Sequence, residues 1–280
     1  MRAGVLDFRG RAFMRRLDKG QEPKDVGDGL QALDSKLISI VIPCYNERER
    51  IQSSLTEIRN FLAAHALPVE VLVVVEKSAD GTLEAAQAAA ENVDQIRVID
   101  NKVHRGKGYA VRSGMAMVQG DPVFFMDADL ATPLEEIHHF LDWFDRHPNC
   151  DVLIGNRVDV RSNILIAQSP WRRLLGRGFN KLVMLFGIRG IADTQCGFKA
   201  FRRQASKEIF SRQKLDRYAF DVEGLMLADR LGLQIVSLPI SWRNRPDSKI
   251  SMLRDATRML WDLLWVRRLV GRTMRQQPKL

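Results

Sequence analysis

The sequence predicts an α/β protein in which a mostly parallel sheet is flanked by helices and an amphipathic helix follows near the C-terminus. Short apolar or β-branched runs alternate with segments of helical periodicity from residue 37 to residue 155. Such alternation is typical of βαβ units with right-handed crossovers. The longest apolar runs, Leu37–Tyr45 and Val69–Val75, are far shorter than the roughly 20 residues that a membrane-spanning helix needs.

Each element follows from its local pattern, because buried strands are short apolar runs and helices have one apolar face. The predicted strands are Leu37–Pro43, Val69–Val75, Ile96–Ile99, Pro122–Met126, Val152–Gly155 and Gln234–Ile240. The predicted helices are Glu47–His65, Gly81–Glu91, Gly106–Val118, Thr132–Arg146, Gln204–Ser211, Tyr218–Leu231 and Ser251 to about Arg275. Residues 157–190 are Arg-rich with apolar side chains at helical spacing, and residues 193–203 are predicted to be a compact polar connection.

The pattern divides the chain into three parts. Residues 1–36 are polar and predicted to be a partly ordered extension, with a basic helix on a membrane as the alternative. Residues 37–250 form the main body, and a change of pattern separates 37–156 from 157–250. Residues 251–280 form the last helix and a tail.

Composition points to an anionic partner. The 280 residues carry a net charge of +9 and the pI is about 9.7, which suits nucleic acid, a membrane surface or a phosphorylated substrate. Nucleic acid is disfavoured, because the basic residues lack stacking aromatic residues on strands. The three scattered cysteines show no disulfide framework or zinc spacing, and no apolar signal core is seen. We therefore predict a cytoplasmic protein with at most peripheral membrane contact.

The last helix has two different faces at ~100° per residue. The apolar face can pack on the protein, and the opposite face combines tryptophan and arginine, which suits a lipid headgroup region. The alternative is a solvated face with each indole under an arginine stem. The first face comprises Met252, Ala256, Met259, Leu263, Val266, Val270 and Met274, and the second comprises Arg254, Arg258, Trp261, Trp265, Arg268 and Arg272.

The predicted strand Pro122–Met126 ends in Asp127-Ala128-Asp129. Two carboxylates at the carboxyl edge of a sheet lie where open α/β sheets bind ligands. Mg²⁺ and Mn²⁺ prefer oxygen ligands and often also hold substrate phosphates. The motif therefore indicates a metal site for a diphosphate, and the alternative is that Asp129 merely caps the helix near Pro133.

Three more polar clusters fall at predicted strand ends on the same edge. They are Pro43-Cys44-Tyr45-Asn46-Glu47, Glu76-Lys77-Ser78-Ala79-Asp80-Gly81-Thr82, and His104-Arg105-Gly106-Lys107-Gly108. An aromatic ring can face a base, amide and carboxylate groups can bind a base or ribose, and a Gly-rich basic helix N-terminus favours anions.

These four clusters, in this order, resemble the nucleotide-binding half of family 2 glycosyltransferases, which have the Rossmann-like GT-A fold. Three later strings, Asp193-Thr194-Gln195-Cys196-Gly197-Phe198-Lys199-Ala200-Phe201-Arg202, Ala219-Phe220-Asp221-Val222-Glu223 and Ser248-Lys249, resemble the dolichyl-phosphate glucosyltransferase group more closely than the mannosyl one. The resemblance covers roughly residues 38–267. It implies a GT-A catalytic domain over 37–250, with a nucleotide-binding half (37–156) and an acceptor half (157–250).

The resemblance implies a nucleotide-sugar donor, Mg²⁺ or Mn²⁺, and a polyprenyl phosphate acceptor. Donor contacts are expected from Pro43, Tyr45, Asn46, Glu47, Glu76, Arg105, Lys107, Asp127 and Ala128. Metal contacts are expected from Asp127, Asp129 and Gln195, and catalytic roles from Asp129, Lys107, Arg157 and Asp221. Acceptor contacts are expected from Arg157, Lys199 and Arg202, and charge alone adds Arg173.

An inverting displacement with a glucose donor of the UDP type is expected on a membrane surface at its cytoplasmic face. The acceptor phosphate is already anionic and needs no strong base, so catalysis would rest on positioning and charge. Val75-Glu76 replaces the usual Asp-Asp pair, which leaves UDP and GDP both open. The alternatives are a family 2 enzyme with a hydroxyl acceptor and Asp221 as base, and a non-catalytic nucleotide-sugar binder.

Overall fold

The structure, a computed structural model, describes residues 36–166, 190–243 and 252–276. The strands are β1 (Ile38–Cys44), β2 (Val69–Val75), β3 (Ile96–Asp100), β4 (Val123–Met126), β5 (Val152–Asn156), β6 (Asn163–Ile166), β7 (Phe198–Phe201), β8 (Ile235–Pro239) and β9 (Ser241–Arg243). The helices are α1 (Arg48–Ala64), α2 (Thr82–Ala90), α3 (Lys107–Met115), α4 (Glu136–Arg146), α5 (Arg203–Phe210), α6 (Phe220–Leu231) and α7 (Met252–Gln276). The predicted N-terminal extension and Arg173 lie outside these ranges.

Seven strands form one sheet in the order β3-β2-β1-β4-β7-β5-β8. Neighbours are parallel except at β7, which runs antiparallel to both β4 and β5. The predicted α/β class with a mostly parallel sheet is therefore confirmed. Because β7 inserts between β4 and β5, the two predicted halves of the main body share a single sheet.

The centre of the sheet is buried on both faces, as expected for strands covered by helices. Every residue of β1 and β4 is buried. Phe140 of α4 packs on Phe198 of β7 with 4.6 Å between ring centroids, and Phe198 packs on Phe124 of β4 at 5.9 Å. This aromatic packing holds the end of β4, and hence the residues that follow it, in a defined position.

Two parts of the predicted pattern differ from the structure. The connection predicted over 193–203 contains β7, whose four residues are all buried. The helix predicted from Thr132 begins at Glu136, because residues 127–131 form a turn: the Leu130 amide donates to the Asp127 carbonyl, and the Ala131 amide donates to the Asp129 carboxylate. The short parallel pair of β6 and β9 was not predicted either.

Where its side chains are described, the C-terminal helix α7 packs through the face that the sequence predicts. The side chains of six residues of the two predicted faces lie outside the described part, namely Met252, Ala256, Met259, Leu263, Arg254 and Arg258. Val266 and Val270 are buried in the core, whereas Trp261 and Trp265 are 66% and 53% exposed, and α7 contacts α6. Among the described residues, none of the helices is long and apolar enough to cross a membrane.

Candidate active site

The carboxyl ends of the parallel strands bring the predicted polar clusters to one edge of the sheet. Tyr45 follows β1, Glu76 follows β2, Asp127 follows β4 and Arg157 follows β5. The antiparallel strand β7 begins at the same edge, because its first residue pairs with Met126 at the end of β4. The residues just before β7 therefore lie beside Asp127.

Asp127 is fixed by contacts on two sides. Its backbone amide donates to the carbonyl of Gly197 (3.1 Å), and its Oδ1 lies 2.6 Å from the Nζ of Lys107. A Cβ on Gly197 would fall 1.9 Å from the Asp127 Oδ2. The glycine before β7 is thus required for the carboxylate to occupy this position.

Asp129 lies two residues further along the same turn and is half-buried. Burial and the neighbouring charge of Asp127 raise the pKa of the Asp129 carboxyl above its usual value, because two close carboxylates resist simultaneous ionisation. The capping alternative is not supported, because the N-cap position of α4 is Glu135 and no side chain caps that helix. A cation between the two carboxylates would relieve their repulsion.

The donor set fits a divalent cation that also binds a diphosphate. No cluster of three or more His, Cys, Asp or Glu side chains with metal-binding geometry occurs within the described ranges. Mg²⁺ is commonly bound by one or two carboxylates together with substrate phosphates, which Asp127 and Asp129 can supply. The Gln195 amide nitrogen is buried and makes no hydrogen bond with any described residue; as a donor it suits a diphosphate oxygen, whereas a metal ion would bind the amide oxygen.

The Glu76 carboxylate, predicted to contact the donor nucleobase, is occupied by hydrogen bonds within the protein. It is 1% exposed, and its carboxylate accepts hydrogen bonds from the His104 Nδ1 (2.7 Å) and from the amides of Arg105 (3.0 Å) and Gly106 (2.9 Å). The His104 ring stacks on Tyr45 with centroids 3.7 Å apart. Glu76 therefore organises the loop before α3, and its contact with a donor base stays a prediction.

The remaining residues predicted to contact the donor nucleoside differ in accessibility. Pro43 is buried inside β1 and paired with β2. The backbone amide of Asn46 donates to the Ser78 hydroxyl (3.0 Å), and the backbone amide of Glu47 donates to the Thr82 hydroxyl (2.8 Å). These bonds join the loops after β1 and β2 into one wall. Ala128 is buried, and its carbonyl accepts a hydrogen bond from the Ser54 hydroxyl.

The basic loop 105–108 is held by the segment before α6. Arg105 makes an ion pair with Asp216 (2.6 Å), and a Cβ on Gly106 or Gly108 would come within 2.7 Å or 2.5 Å of a backbone carbonyl of that segment. The glycines therefore allow close packing. Lys107 projects from this loop to Asp127. Burial lowers the pKa of Lys107, but the charges of Asp127 and Asp221 outweigh burial and raise this pKa above its usual value.

Arg157 is oriented by Asp193, a residue for which the sequence predicted no role. The Asp193 carboxylate is 1% exposed. It accepts hydrogen bonds from the Nε (2.7 Å), the Nη2 (2.8 Å) and the backbone amide (3.0 Å) of Arg157. The guanidinium also lies 5.6 Å from the Trp242 ring centroid. An arginine and an acid 36 residues further along the chain have no fixed spacing, so no sequence signal pointed to this pair.

Lys199, predicted to contact the acceptor, has a partner inside the protein. Its ammonium donates to the Asp221 carboxylate (2.5 Å) and the Cys196 carbonyl (2.7 Å), and its side chain is 3% exposed. Lys199 therefore neutralises a buried carboxylate, and this pairing does not support the acceptor contact predicted for it. Burial raises the pKa of Asp221, and the charge of Lys199 partly offsets this effect.

Arg202, also predicted to contact the acceptor, lies at a different place on the sheet. It follows Phe201, which pairs with Val123 at the start of β4, so it lies at the opposite edge of the sheet from Asp127. Its guanidinium donates to the Phe144 carbonyl (2.8 Å) and lies over the Phe144 ring. The antiparallel direction of β7 takes Arg202 away from Asp127, so this position does not support the acceptor contact predicted for it.

Comparison with known proteins gives a consistent family. The model of the family described as glycosyl transferase family 2 matches residues 39–210. The chain is 34% identical to the dolichyl-phosphate beta-glucosyltransferase of Drosophila melanogaster, covering 84% of this chain and 76% of that one. It is also 34% identical to the enzyme of the same name from Saccharomyces cerevisiae (94% and 81%) and 33% identical to that of Homo sapiens (83% and 75%).

Solved structures share the fold at lower identity. Glucosyl-3-phosphoglycerate synthase from Mycobacterium tuberculosis, in complex with Mn²⁺, UDP-glucose and glycerol 3-phosphate, is 21% identical with a TM-score of 0.64, covering 90% of this chain and 86% of that one. Mannosyl-3-phosphoglycerate synthase from Rubrobacter xylanophilus is 22% identical with a TM-score of 0.62, covering 88% and 76%. These similarities confirm the predicted GT-A fold.

Proposed function

Because the chain belongs to glycosyl transferase family 2 and is a hexosyltransferase, we propose that it transfers glucose from UDP-glucose to a polyprenyl phosphate of the dolichyl type. Inversion at the anomeric carbon is part of the proposal. The glucosyltransferase name of the similar chains supports the sugar and the acceptor. The UDP-glucose and Mn²⁺ bound to a protein of the same fold support the donor and the metal.

The observation that carries the proposal is the pair of carboxylates at the end of β4 with Lys107 beside them. Asp127, Asp129 and Gln195 would hold Mg²⁺ or Mn²⁺, which would neutralise the donor diphosphate and help it to leave. Lys107 is ion-paired with Asp127, within reach of a diphosphate held there. We propose that its ammonium stabilises the negative charge that develops on the leaving group.

Two features support a phosphate acceptor over a hydroxyl acceptor. A phosphate oxygen is already ionised, so attack requires positioning rather than proton removal. Asp221, the base that a hydroxyl acceptor would require, is 7% exposed and ion-paired with Lys199. Arg157 lies at the site edge in a fixed orientation, and a guanidinium matches the geometry of a phosphate. It is our candidate for the group that binds the acceptor.

The proposal is tested by incubating the chain with radiolabelled UDP-glucose, Mn²⁺ and a polyprenyl phosphate in detergent. We expect label to enter the organic phase, and to be lost on chelation of the metal. Arg157→Lys should raise the KM for the acceptor more than the KM for the donor, because lysine cannot keep the two-nitrogen contact with Asp193 that orients the cation. Arg202→Lys is the matched control and should leave both values unchanged. Absence of lipid-linked product with every nucleotide sugar of a panel would reject the proposal.

The location follows from the acceptor. A lipid-linked phosphate confines the reaction to a membrane surface, and the net charge of +9 favours contact with anionic lipid. We therefore propose peripheral contact with the cytoplasmic face of a membrane.

A further inference from the structure

Exposed apolar side chains follow Arg157 in the connection from β5 to β6 and in β6 itself. Val158 is 50% exposed, Val160 98% and Leu165 53%. The connection starts at the carboxyl end of β5, so it borders the same edge of the sheet as Asp127. A cluster of such exposed apolar side chains on one short segment indicates an interaction surface, because burying them against a partner would be favourable.

A second exposed set lies on α7. Trp261 and Trp265 project from the side of the helix opposite the buried Val266 and Val270. Arg268 and Arg272 share the tryptophan side at helical spacing and are exposed. The exposed side chains described on α7 include four arginines, at positions 267, 268, 272 and 275, and no carboxylate.

The first turns described on α7 lie close to the site. Asp262, next to Trp261, is half-buried, and α7 packs on α6, the helix that begins three residues after Arg217. Arg217 packs against Gly106, where a Cβ would meet its side chain at 3.2 Å. Gly106 adjoins Lys107, the partner of Asp127. The tryptophans thus stand on the α3 side of the site, and the β5–β6 connection stands on the β5 side.

We propose that these two exposed sets form one rim around the site, and that an anionic lipid surface docks on this rim. We call it the lipid rim: Val158, Val160, Leu165, Trp261, Trp265 and Arg268. Indole rings favour the membrane–water interface, and arginines near the surface are attracted to anionic headgroups. This inference rests on the lipid acceptor proposed above, because docking here places the phosphate of an acceptor in the bilayer next to Arg157.

The charge of α7 decides between a lipid surface and other occupants. The guanidinium of Arg268 lies 5.4 Å from the Trp265 ring, which covers part of that indole. Trp261 and Val160 remain more exposed than Trp265. Where its side chains are described, this face is cationic, carries indoles and exposes no carboxylate, which complements anionic headgroups and opposes pairing with a second copy of itself because the arginines would repel.

The test is co-sedimentation of the full chain with phosphatidylcholine vesicles, with or without about one third phosphatidylglycerol. No acceptor lipid is included. We expect binding to the anionic vesicles. Trp261→Ala/Trp265→Ala should weaken the partition coefficient more than about tenfold, and Val160→Asp should also weaken it. Arg268→Glu should weaken it about fivefold or more.

Matched controls lie away from the rim. Leu37→Ala/Met117→Ala removes two exposed apolar side chains at the opposite edge of the sheet, and Lys207→Glu makes the same charge change as Arg268→Glu on an exposed position of α5. Both should bind vesicles like the wild type. Circular dichroism and UDP binding in Mn²⁺ check that each variant is folded.

Two results would overturn the inference: a wild-type chain that stays in solution with both kinds of vesicle, or rim and control variants that lose binding equally. A concentration-dependent dimer abolished by the rim variants would instead assign the surface to a second copy. Glucosyl transfer to detergent-solubilised acceptor is measured in parallel. Transfer without vesicle binding rejects the rim alone, and vesicle binding without transfer rejects the proposed function alone.

Discussion

Gly197→Ala is the sharpest test of the metal site, because it changes the position of Asp127 without changing any charge. The added Cβ would lie 1.9 Å from Oδ2 and 2.3 Å from Cγ of Asp127, whereas such contacts are essentially never shorter than 3.0 Å. The carboxylate or the start of β7 must therefore shift by at least 3.0 − 1.9 = 1.1 Å.

A displacement of this size has a predictable cost. Misplacing a catalytic group by about 1 Å costs on the order of 100-fold in rate. Displacing a metal ligand weakens metal affinity about 10- to 100-fold. We therefore expect kcat/KM to fall about 100-fold, and half-saturation by Mn²⁺ to require a correspondingly higher concentration. The stability cost should stay near 1 kcal/mol, because the half-buried carboxylate can move towards solvent.

The assay is glucosyl transfer at several Mn²⁺ concentrations, together with calorimetric binding of UDP and Mn²⁺ and a thermal melt. Gly271→Ala is the matched control, because a Cβ there meets nothing within 4 Å. Asp127→Asn should resemble Gly197→Ala, and the double variant should lose little more, since both act through one carboxylate. Wild-type Mn²⁺ dependence in a folded Gly197→Ala chain would refute the assignment of Asp127 to the metal.

Three further outcomes are expected. Glu76→Gln should weaken UDP binding about tenfold with little change in kcat, because a charged acceptor for His104 and two amides is lost; unchanged affinity would show that the loop does not shape the donor site. Asp221→Asn should destabilise the fold by about 3–5 kcal/mol by leaving the buried Lys199 unpaired, measured by urea unfolding, whereas an unchanged fold with abolished turnover would favour a base role. Burial raises the pKa of Cys150 and Cys196 to about 12 and raises that of Cys44 as well, so no thiol should react with a disulfide reagent at mildly alkaline pH until denaturant exposes all three; rapid labelling of the native chain would contradict this.

Local pattern predicted most of the nucleotide-binding half. Strands β1 to β5 and helices α1 to α4 occur where apolar runs and helical periodicity indicated, because each is stabilised by burial of its own apolar face. The strand β7 was missed. Its four residues show too short a pattern to identify a strand, and they form one because they pair with both β4 and β5, which are distant in the chain.

Arg202, Lys199 and Asp193 show the same limit at the candidate site, because the local sequence does not reveal which distant residues each side chain meets. Arg202 and Lys199 follow a motif string as closely as Gln195 does. Only the direction of β7 sends Arg202 to the far edge of the sheet, and only the packing of α6 brings Asp221 onto Lys199. Asp193 drew no prediction, because its partner Arg157 is 36 residues away along the chain.

The sequence by itself determined the fold class, the order of elements before β5, the carboxylate pair at the end of β4, and the tryptophan–arginine face of α7. These features depend on residue type and local spacing, which the chain carries at every point. The tertiary structure alone decided which of the charged side chains near the site remain available to a ligand. Availability depends on which opposite charge reaches each side chain across the sheet, and that is a property of strand direction and packing.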